Sequence, residues 1–541
     1  MNIVPPWRLN MTGFVSQHFR PNFPTGPRNI PVHINKDSTP LDFFSIFWDD
    51  TVWELLVNET NRQAAHVKTT KPNNYVAKNW TEVTLNEMKA FFGCRITIES
   101  LVHKDRYEQY WKTKDNLLTA TPGFPKIMSQ DRFLAIWSML HCVNEEDPTV
   151  DKMDKIYKSR PIFNYLIDNF QHHFVPDCEL SLDEGMIPTK NSLSIKQYIK
   201  DKPIKWGLKT FLLTDSKHGY IMNAEVYTGK RADALTVDNL GITGNLVVRM
   251  TQDFQNQNYI LFMDRFYTSV ELAEYLLNKG IGMCGTAMTN RKEFPKFLKR
   301  TNKQMHRGDC EIVYNGNVSA LVWMDKRPIY FVSSVYVDAP FTSVPRYDAK
   351  EHRRVPVPCP VVVKAYNQFM GGTDKNDQMT RLQKCRRHYK WPRRLIMKFF
   401  MWAAYNAYVI QGYYKSHMQS AHRNFTFHFF LEKLCHQLVG VVRNMTQKGR
   451  RRSDTDQEIR LGDVGQHVCE RAEHATTNNR CVVCTEKYRR AKLSCPNTLD
   501  KDLPTKSRTV YWCTYCKMFL CIGKPGANCW HDWHSKVMYW R

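Results

Sequence analysis

The N-terminal third of the chain carries apolar residues at the spacing of an amphipathic helix. The pattern is clearest in two segments, Leu85–Phe92 and Arg132–His141, where apolar residues recur three or four positions apart. Polar turns separate these segments from their neighbours. We therefore predict a helical region from about residue 42 to residue 174.

Aromatic and β-branched residues then replace the helical spacing, which is typical of strands. Strands are predicted at Leu180–Met186, Leu208–Thr214, Ile221–Tyr227 and Tyr259–Met263. Residues 217–219 predict a hairpin turn, and residues 269–277 return to a helical period. Strands followed by a crossover helix predict an α/β sheet.

Residues 290–357 are basic and contain several prolines and short strand signals, so we predict an insertion there. Residues 378–445 are rich in helical patterns. Within them, Leu395–Ile410 is the most apolar stretch, but Lys398 and Asn406 interrupt it, and it is shorter than the roughly 20 residues of a membrane span. We predict a packed helix and no membrane partner.

Charge is the strongest compositional signal. The 541 residues include 77 Lys and Arg against 52 acidic residues, a formal charge of +25. Such an excess favours a polyanionic partner, with nucleic acid the first candidate and a membrane surface the second. Residues 1–25 lack the apolar core of a signal peptide, so secretion is not expected. The basic, polar run 450–456 predicts a linker, and it is either a nuclear import signal or a solvated charge run.

Three aspartates stand where a divalent metal site can form. Asp183 and Asp264 each follow an apolar strand, and Asp374 lies three residues before Asp377 in a Gly-preceded segment. A buried carboxylate is costly unless it is paired, protonated or metal-bound. Mg²⁺ prefers oxygen ligands, and two such ions serve phosphoryl transfer. A single aspartate of this kind is more often a cap or turn residue, so the prediction depends on the three converging. Glu184 is assigned to the opposite strand face.

The last sixty residues are rich in cysteine and histidine. Two Cys-x-x-Cys pairs followed by further Cys and His supply ligands for two tetrahedral Zn²⁺ ions, and free buried cysteines are the alternative. Seven ligands are assigned, and nearby His531 is a candidate for the eighth. The seven are Cys481, Cys484, Cys513, Cys516, Cys521, Cys529 and His534.

A dense basic segment spans residues 381–394, with seven Lys or Arg in fourteen positions and interleaved aromatic residues. Such side chains neutralise phosphates while an aromatic ring packs on sugar or base, so we predict DNA contact. The alternative is a helix start at the tryptophan with solvated charges around it. Further basic stretches lie at 291–307 and 196–209. The predicted DNA-contacting residues are Arg386, Arg387, Lys390, Trp391, Arg393 and Arg394.

Four phrases, in this order, resemble landmarks of the piggyBac transposase family over residues from about 40 to the C-terminus. They are Leu180-Ser-Leu-Asp-Glu-Gly-Met-Ile-Pro188, Phe262-Met-Asp-Arg-Phe-Tyr-Thr-Ser269, Tyr366-Asn-Gln-Phe-Met-Gly-Gly-Thr-Asp-Lys-Asn-Asp-Gln-Met379 and Lys390-Trp-Pro-Arg-Arg394. The resemblance implies an α/β, RNase H-like core of the retroviral integrase superfamily with an inserted domain. Helical DNA-binding domains flank this core, and a cross-brace zinc finger ends the chain. The implied catalytic residues are Asp183, Asp264 and Asp374, with Asp377 at the family's adjacent acidic position.

The resemblance also implies an activity. Such an enzyme cleaves transposon ends through a DNA hairpin and joins them to TTAA target DNA, using two Mg²⁺ ions. It further implies double-stranded DNA with terminal inverted repeats as partner, a homodimer, a nuclear location, and His467 as another candidate for the eighth zinc ligand. A domesticated, catalytically silent DNA-binding or chromatin protein is the alternative. A RING-like ubiquitin ligase would explain the finger but not the aspartates.

The residue patterns and the family resemblance together predict the domain organisation of the chain. It comprises a tail (1–35), a helical dimerisation and DNA-binding domain (36–178), the first part of the core (179–289), the insertion (290–357), the second part of the core (358–384), a second helical DNA-binding segment (385–447), a linker (448–475) and the cysteine-rich domain (476–541).

Overall fold

The structure is a computed structural model in which the chain forms two compact units, residues 1–444 and 445–541. The structure describes residues 7–9, 19–21, 23–112, 120–189, 191, 193–200, 202, 204–229, 236–336, 341–349, 351–382, 391–415, 425–440, 461, 467–472, 479–496, 498–516, 518–523, 525–526 and 528–540.

The first unit begins with the predicted helical region. Side chains of Asp49, Thr84 and Ser129 cap three of its helices by accepting hydrogen bonds from backbone N–H groups of the first turn. A short π-helical turn, Thr97–Leu101, extends the fourth helix. The helices are α1 (Pro40–Phe44), α2 (Asp50–Thr70), α3 (Tyr75–Lys78), α4 (Leu85–Ile96), α5 (Glu108–Trp111), α6 (Gly123–Ile127), α7 (Gln130–Met139) and α8 (Arg160–His173).

A nine-stranded sheet forms the centre of this unit, as the α/β prediction requires. Two short strands, β1 (Gly26–Pro27) and β2 (Phe174–Val175), pair separately before it. Its strands are β3 (Glu179–Pro188), β4 (Lys196–Tyr198), β5 (Trp206–Asp215), β6 (Ile221–Val226), β7 (Tyr259–Met263), β8 (Ile281–Thr286), β9 (Cys310–Asn315), β10 (Val318–Met324) and β11 (Pro328–Ser333).

The strand order is β4-β5-β3-β7-β8-β11-β10-β9, and β6 pairs with β5. The pairs β3–β7 and β7–β8 are parallel, whereas the other pairs in this sheet are antiparallel. Helix α9 (Gly241–Thr251) precedes β7, and α10 (Val270–Asn278) connects β7 to β8. The four strands and the crossover helix predicted from the sequence are thereby confirmed.

The segment predicted as an insertion continues the same sheet. Strand β11 pairs with β8, and β10 and β9 follow it outward. Two further strands, β12 (Thr342–Asp348) and β13 (Arg353–Cys359), form a separate hairpin. Residues such as Leu321, Phe331 and Val357 share one buried cluster with Phe262 of β7. The segment therefore packs with the core strands in one cluster.

Four helices follow: α11 (Val361–Phe369), α12 (Gly372–Met379), α13 (Trp391–Lys415) and α14 (Phe427–Val439). Most of α13 is buried, which confirms the packed helix predicted from its apolar stretch. Its Phe400 ring packs on Phe44, Trp48 and Phe92 from the N-terminal helices. The two predicted helical regions thus share one core. No helix among the described residues is long and apolar enough to cross a membrane.

The second unit is small and built around its cysteines. Strands β14 (Cys469–Arg471), β15 (Tyr511–Cys513) and β16 (Met518–Phe519) form an antiparallel sheet, beside α15 (Val482–Ser494) and α16 (Cys529–Ser535). Its buried cluster has ten residues, which include five cysteines together with Leu520 and Trp533. The predicted linker run 450–456 lies outside the described residues.

Candidate functional site

Two of the predicted acids lie side by side at the ends of parallel strands. Strands β3 and β7 pair in parallel with Leu182 opposite Met263, so the next residues in that register are Asp183 and Asp264. Neighbouring strands are about 4.8 Å apart, and residues in register on parallel strands point to the same face. The two carboxylates therefore emerge together on one face of the sheet.

Burial dominates the electrostatics of this pair. It raises the pKa of Asp183 to about 7, with Lys202 opposing the rise and Glu184 and Asp264 adding to it. Burial also raises the pKa of Asp264, against a hydrogen bond from the Phe266 N–H of 2.8 Å. Two desolvated carboxylates that repel each other are stabilised by a shared cation. The donor set consists of hard oxygen atoms, which fits Mg²⁺.

Helix α12 crosses the same face of the sheet. Thr373 Oγ1 donates a hydrogen bond of 3.3 Å to the Leu212 carbonyl on β5, and a Cβ added at Gly372 would lie 2.5 Å from Ser181 Oγ. A Cβ added at Gly185 would lie 3.1 Å from Asp377 Oδ2. Ser181 and Gly185 lie two residues before and two residues after Asp183 on β3, so all three positions share one face of the sheet. The helix that carries the third predicted acid therefore packs over the first.

The third acid, Asp374, lies exposed in the first turn of α12. Among the described residues, three groups of His, Cys, Asp or Glu have donor atoms within 4.8 Å of one another, and the predicted aspartates do not form one of them. The structure thus places Asp183 and Asp264 in register and α12 over the same face of the sheet. The three carboxylates do not form a group with oxygen atoms within 4.8 Å of one another.

Asp377 has a partner that the sequence analysis did not assign. Its Oδ1 lies 3.1 Å from Nζ of Lys398, a buried residue of α13. The same ammonium donates a hydrogen bond of 2.8 Å to Thr380 Oγ1. The only signal in the sequence was the interruption of an apolar run by a lysine, which indicates a charge that needs a buried acceptor.

The cysteine-rich unit brings eight predicted ligands into two groups. The first contains Cys481, Cys484, Cys521 and Cys529, all buried. Cys484 Sγ lies 3.9 Å from Cys521 Sγ and 3.5 Å from Cys529 Sγ. Four sulfur ligands at 2.3 Å from a tetrahedral zinc would be roughly 3.8 Å apart. Hydrogen bonds within the group lower the pKa of Cys484 and raise the pKa of Cys529, so the four thiols share protons that a bound zinc ion would displace.

The second group contains His467, Cys513, Cys516 and His534. His467 Nδ1 lies 3.5 Å from Cys513 Sγ and 3.4 Å from Cys516 Sγ. His531, the other candidate for the eighth ligand, is exposed and belongs to neither group. It precedes His534 by three residues on the short helix α16, and only His534 points into the group. The donor sets fit zinc with His467 in place of His531.

The predicted DNA-contacting segment divides into two parts. Arg386, Arg387 and Lys390 lie outside the described residues, and Trp391 is half-buried at the start of α13. The second part consists of Arg393 and Arg394, which lie inside α13.

Arg393 and Arg394 are buried, with 7% and 3% of their surface exposed. Arg394 Nη1 lies 2.6 Å from Glu99 Oε2, and Arg393 donates to the Ser138 carbonyl. Burial therefore argues against phosphate contact by these two residues. They join α13 to the N-terminal helices instead.

Comparisons with known proteins agree with this architecture. A family model described as Transposase IS4 matches residues 39–408. The human PiggyBac transposable element-derived protein 3 is 28% identical over 347 residues, covering 63% of this chain and 55% of that protein, so the match spans about half of the relative's length. The human PiggyBac transposable element-derived protein 2 is 25% identical over 500 residues, covering 89% of this chain and 78% of that protein.

A cryo-EM structure of a piggyBac transposase synaptic complex with hairpin DNA superposes with a TM-score of 0.65. It covers 85% of this chain and 96% of that one at 19% identity, so the two proteins share a fold.

Proposed function

The chain belongs to the piggyBac type of the IS4 transposase family, and on that premise we propose that it is a cut-and-paste DNA transposase. The observation that carries the proposal is the parallel register of Asp183 and Asp264 beneath α12. An RNase H-like core of the DDD type, with Asp374 as third acid, accounts for this arrangement.

In this proposal Asp183, Asp264 and Asp374 hold two Mg²⁺ ions. Bound there, the ions supply activation of the attacking oxygen and stabilisation of the leaving oxygen in phosphoryl transfer. The chain's own contribution is to fix the carboxylates at the ends of paired strands and to bury them in part, and this burial raises the pKa of Asp183. Asp377, held by Lys398, supports the helix that carries Asp374.

The DNA substrate follows from charge and family. The formal charge of +25 favours a polyanion. We propose that the chain cleaves transposon terminal inverted repeats through a hairpin and joins the ends to TTAA target DNA. The structure that shares its fold is described as a synaptic complex with hairpin DNA, which supports this route. A homodimer would pair the two ends.

The cysteine-rich unit completes the proposal. Its two donor groups hold two structural Zn²⁺ ions in a cross-brace, because the chain passes from one group to the other and back. We propose that this finger contributes to the recognition of transposon ends, and that the enzyme works in the nucleus.

Cleavage of a defined DNA tests the proposal. Purified protein is incubated with Mg²⁺ and a labelled duplex that carries its transposon end beside TTAA, and nicks and hairpins are resolved on a denaturing gel. Asp264→Asn should remove both products while DNA binding persists, because the substitution removes a metal ligand and leaves every Lys and Arg of the chain unchanged. Asp253→Asn, which changes an exposed aspartate outside the site, should cleave normally.

Hairpins that persist in Asp264→Asn would remove that residue from the site. Tight binding without cleavage, with a verified end, would instead favour the domesticated DNA-binding protein.

A further inference from the structure

Two aromatic rings lie exposed together at one edge of the central sheet. Tyr198 on β4 and Trp206 on β5 are directly paired, and 50% and 53% of their respective surfaces are exposed. Their ring centroids are 4.8 Å apart at an interplanar angle of 49°. Two exposed rings in contact form an apolar patch, and contiguous apolar patches mark interaction surfaces more often than single exposed rings do.

The aromatic pair faces the same side of the sheet as the candidate site. Asp183 is paired with Leu212, and Trp206 is an even number of residues from Leu212 along β5, so both side chains point to one face. Six residues of strand span roughly 20 Å. The loop after β4 reaches toward the site, because Lys202 Nζ donates a hydrogen bond of 2.9 Å to the carbonyl of Glu184, the residue after Asp183.

The surroundings of the pair are basic. Lys196 Nζ lies 5.1 Å from the centre of the Trp206 ring. Between residues 196 and 206 the sequence contains four lysines and one aspartate. A second copy of the chain would bring like charges together at this edge, whereas a nucleic acid would neutralise them. The positive charge therefore favours a polyanionic partner, and the exposed rings favour one that also presents a flat apolar ring.

We propose that Tyr198 and Trp206 form a stacking platform for an unpaired base of the DNA strand whose phosphate lies at Asp183 and Asp264. The inference rests on the proposed function. Every base has a face that stacks on an aromatic side chain, but in a paired duplex that face is covered by its neighbours. The platform thus favours DNA with unpaired bases, such as a hairpin loop, over a continuous duplex.

Binding to two DNAs tests the platform. One is a blunt duplex, and the other is the same stem closed by a four-nucleotide TTAA loop. The full chain carrying Asp264→Asn is titrated onto each fluorescent DNA without Mg²⁺, and anisotropy gives the dissociation constant. Adding Trp206→Ala should raise the constant for the hairpin about tenfold and leave that for the duplex unchanged.

Matched variants separate stacking from general damage. Trp206→Phe should restore most of the hairpin affinity, because it retains a ring, and Tyr198→Ala should repeat the selective loss. Tyr75→Ala removes another exposed ring, 79% exposed on α3, and should change neither constant. Equal losses on both DNAs, or no loss on the hairpin, would overturn the platform.

The result of this binding experiment can be told apart from the result of the cleavage experiment. An Mg²⁺-dependent nicking assay on the wild-type background reports on the proposed function, whereas the anisotropy contrast needs no catalysis. Dissociation of a dimer by Trp206→Ala, measured by sedimentation, without a hairpin-selective loss would assign the pair to contact between two copies and overturn the proposal.

Discussion

Close packing at single residues brings the third acid's helix onto the sheet. Gly372 approaches Ser181 Oγ and Thr214 Oγ1 so closely that an added Cβ would lie 2.5 and 2.7 Å from them. Gly185 occupies the corresponding position under Asp377. Cβ atoms essentially never lie within 3.0 Å of such neighbours, so a side chain at Gly372 would move the helix from the sheet, whereas one at Gly185 would displace Thr210 Oγ1 and crowd the Asp377 carboxylate. Two small residues therefore fix how near α12 lies to Asp183.

Gly185→Ala tests this arrangement. The new methyl group would lie 2.7 Å from Thr210 Oγ1 and 3.1 Å from Asp377 Oδ2, so the carboxylate must shift. We expect a loss of about 1–3 kcal/mol in the free energy of unfolding, as for an overpacked core, and at least a tenfold loss of cleavage. Chemical denaturation and the nicking assay measure the two effects.

Gly123→Ala is the control, because nothing lies within 4 Å of its added Cβ. Unchanged stability and full cleavage in Gly185→Ala would show that α12 is not held at this distance.

At the scale of elements, a buried ion pair connects α13 to α12. Lys398 lies within the apolar stretch of α13 and contacts Asp377 and Thr380 near the end of α12. Asn406, the other polar residue of that stretch, accepts from the Ile221 N–H of β6 at 3.0 Å. Each polar interruption of the helix thus meets a partner on a neighbouring element, and α13 fixes both α12 and the sheet edge.

Lys398→Met tests how much the contacts of Lys398 contribute to stability. Methionine fills a similar volume but leaves Asp377 and Thr380 without their donor, so we expect the free energy of unfolding to fall by about 1–3 kcal/mol. Combining it with Asp377→Asn should cost less than the sum of the single changes, since both remove one interaction. Urea denaturation of the four proteins measures the coupling, and strictly additive losses would contradict it.

The sequence predicted the strands and helices whose hydrophobic pattern is local. The apolar runs before Asp183 and Asp264 predicted β3 and β7, and the helical period from residue 269 predicted α10. The pairing of β11 with β8 was not predictable, because a strand's pattern does not specify its partner along the chain. Burial of Arg393 and Arg394 was missed for the same reason, since Glu99 lies nearly 300 residues away.

At the scale of the whole molecule, the chain divides into a large unit with its own core and a small one dominated by ligand groups. The candidate catalytic acids all belong to the first unit. The described residues of the second unit form only a small apolar cluster, so on the proposed zinc assignment its folding free energy would come largely from the metal. Sequence spacing predicted seven of its ligands, whereas the choice between His467 and His531 required three-dimensional placement.

Histidine substitutions test whether metal stabilises the second unit and which histidine is a ligand. His467→Ala should lower bound zinc from two ions to about one or fewer per chain and make residues 445–541 sensitive to protease, because a structural site needs four ligands. The first unit should keep its melting transition. Zinc content is measured by mass spectrometry, and proteolysis fragments are assigned by mass.

His531→Ala is the matched control and should retain both ions, because His531 lies outside both groups. Full zinc content in His467→Ala, or its loss in His531→Ala, would contradict the ligand assignment.

The two zinc groups take their ligands alternately along the chain. His467 comes before Cys481 and Cys484, the pair Cys513 and Cys516 separates these from Cys521 and Cys529, and His534 comes last, so neither group is complete until the chain has passed through the other. Occupation of one site by zinc would organise half of its neighbour, so a singly loaded species would be disfavoured relative to the empty and full ones. On the proposed zinc assignment we therefore expect positively cooperative metal uptake: a zinc titration should rise steeply, with the ions entering as a pair, and a chelator that extracts one should release both.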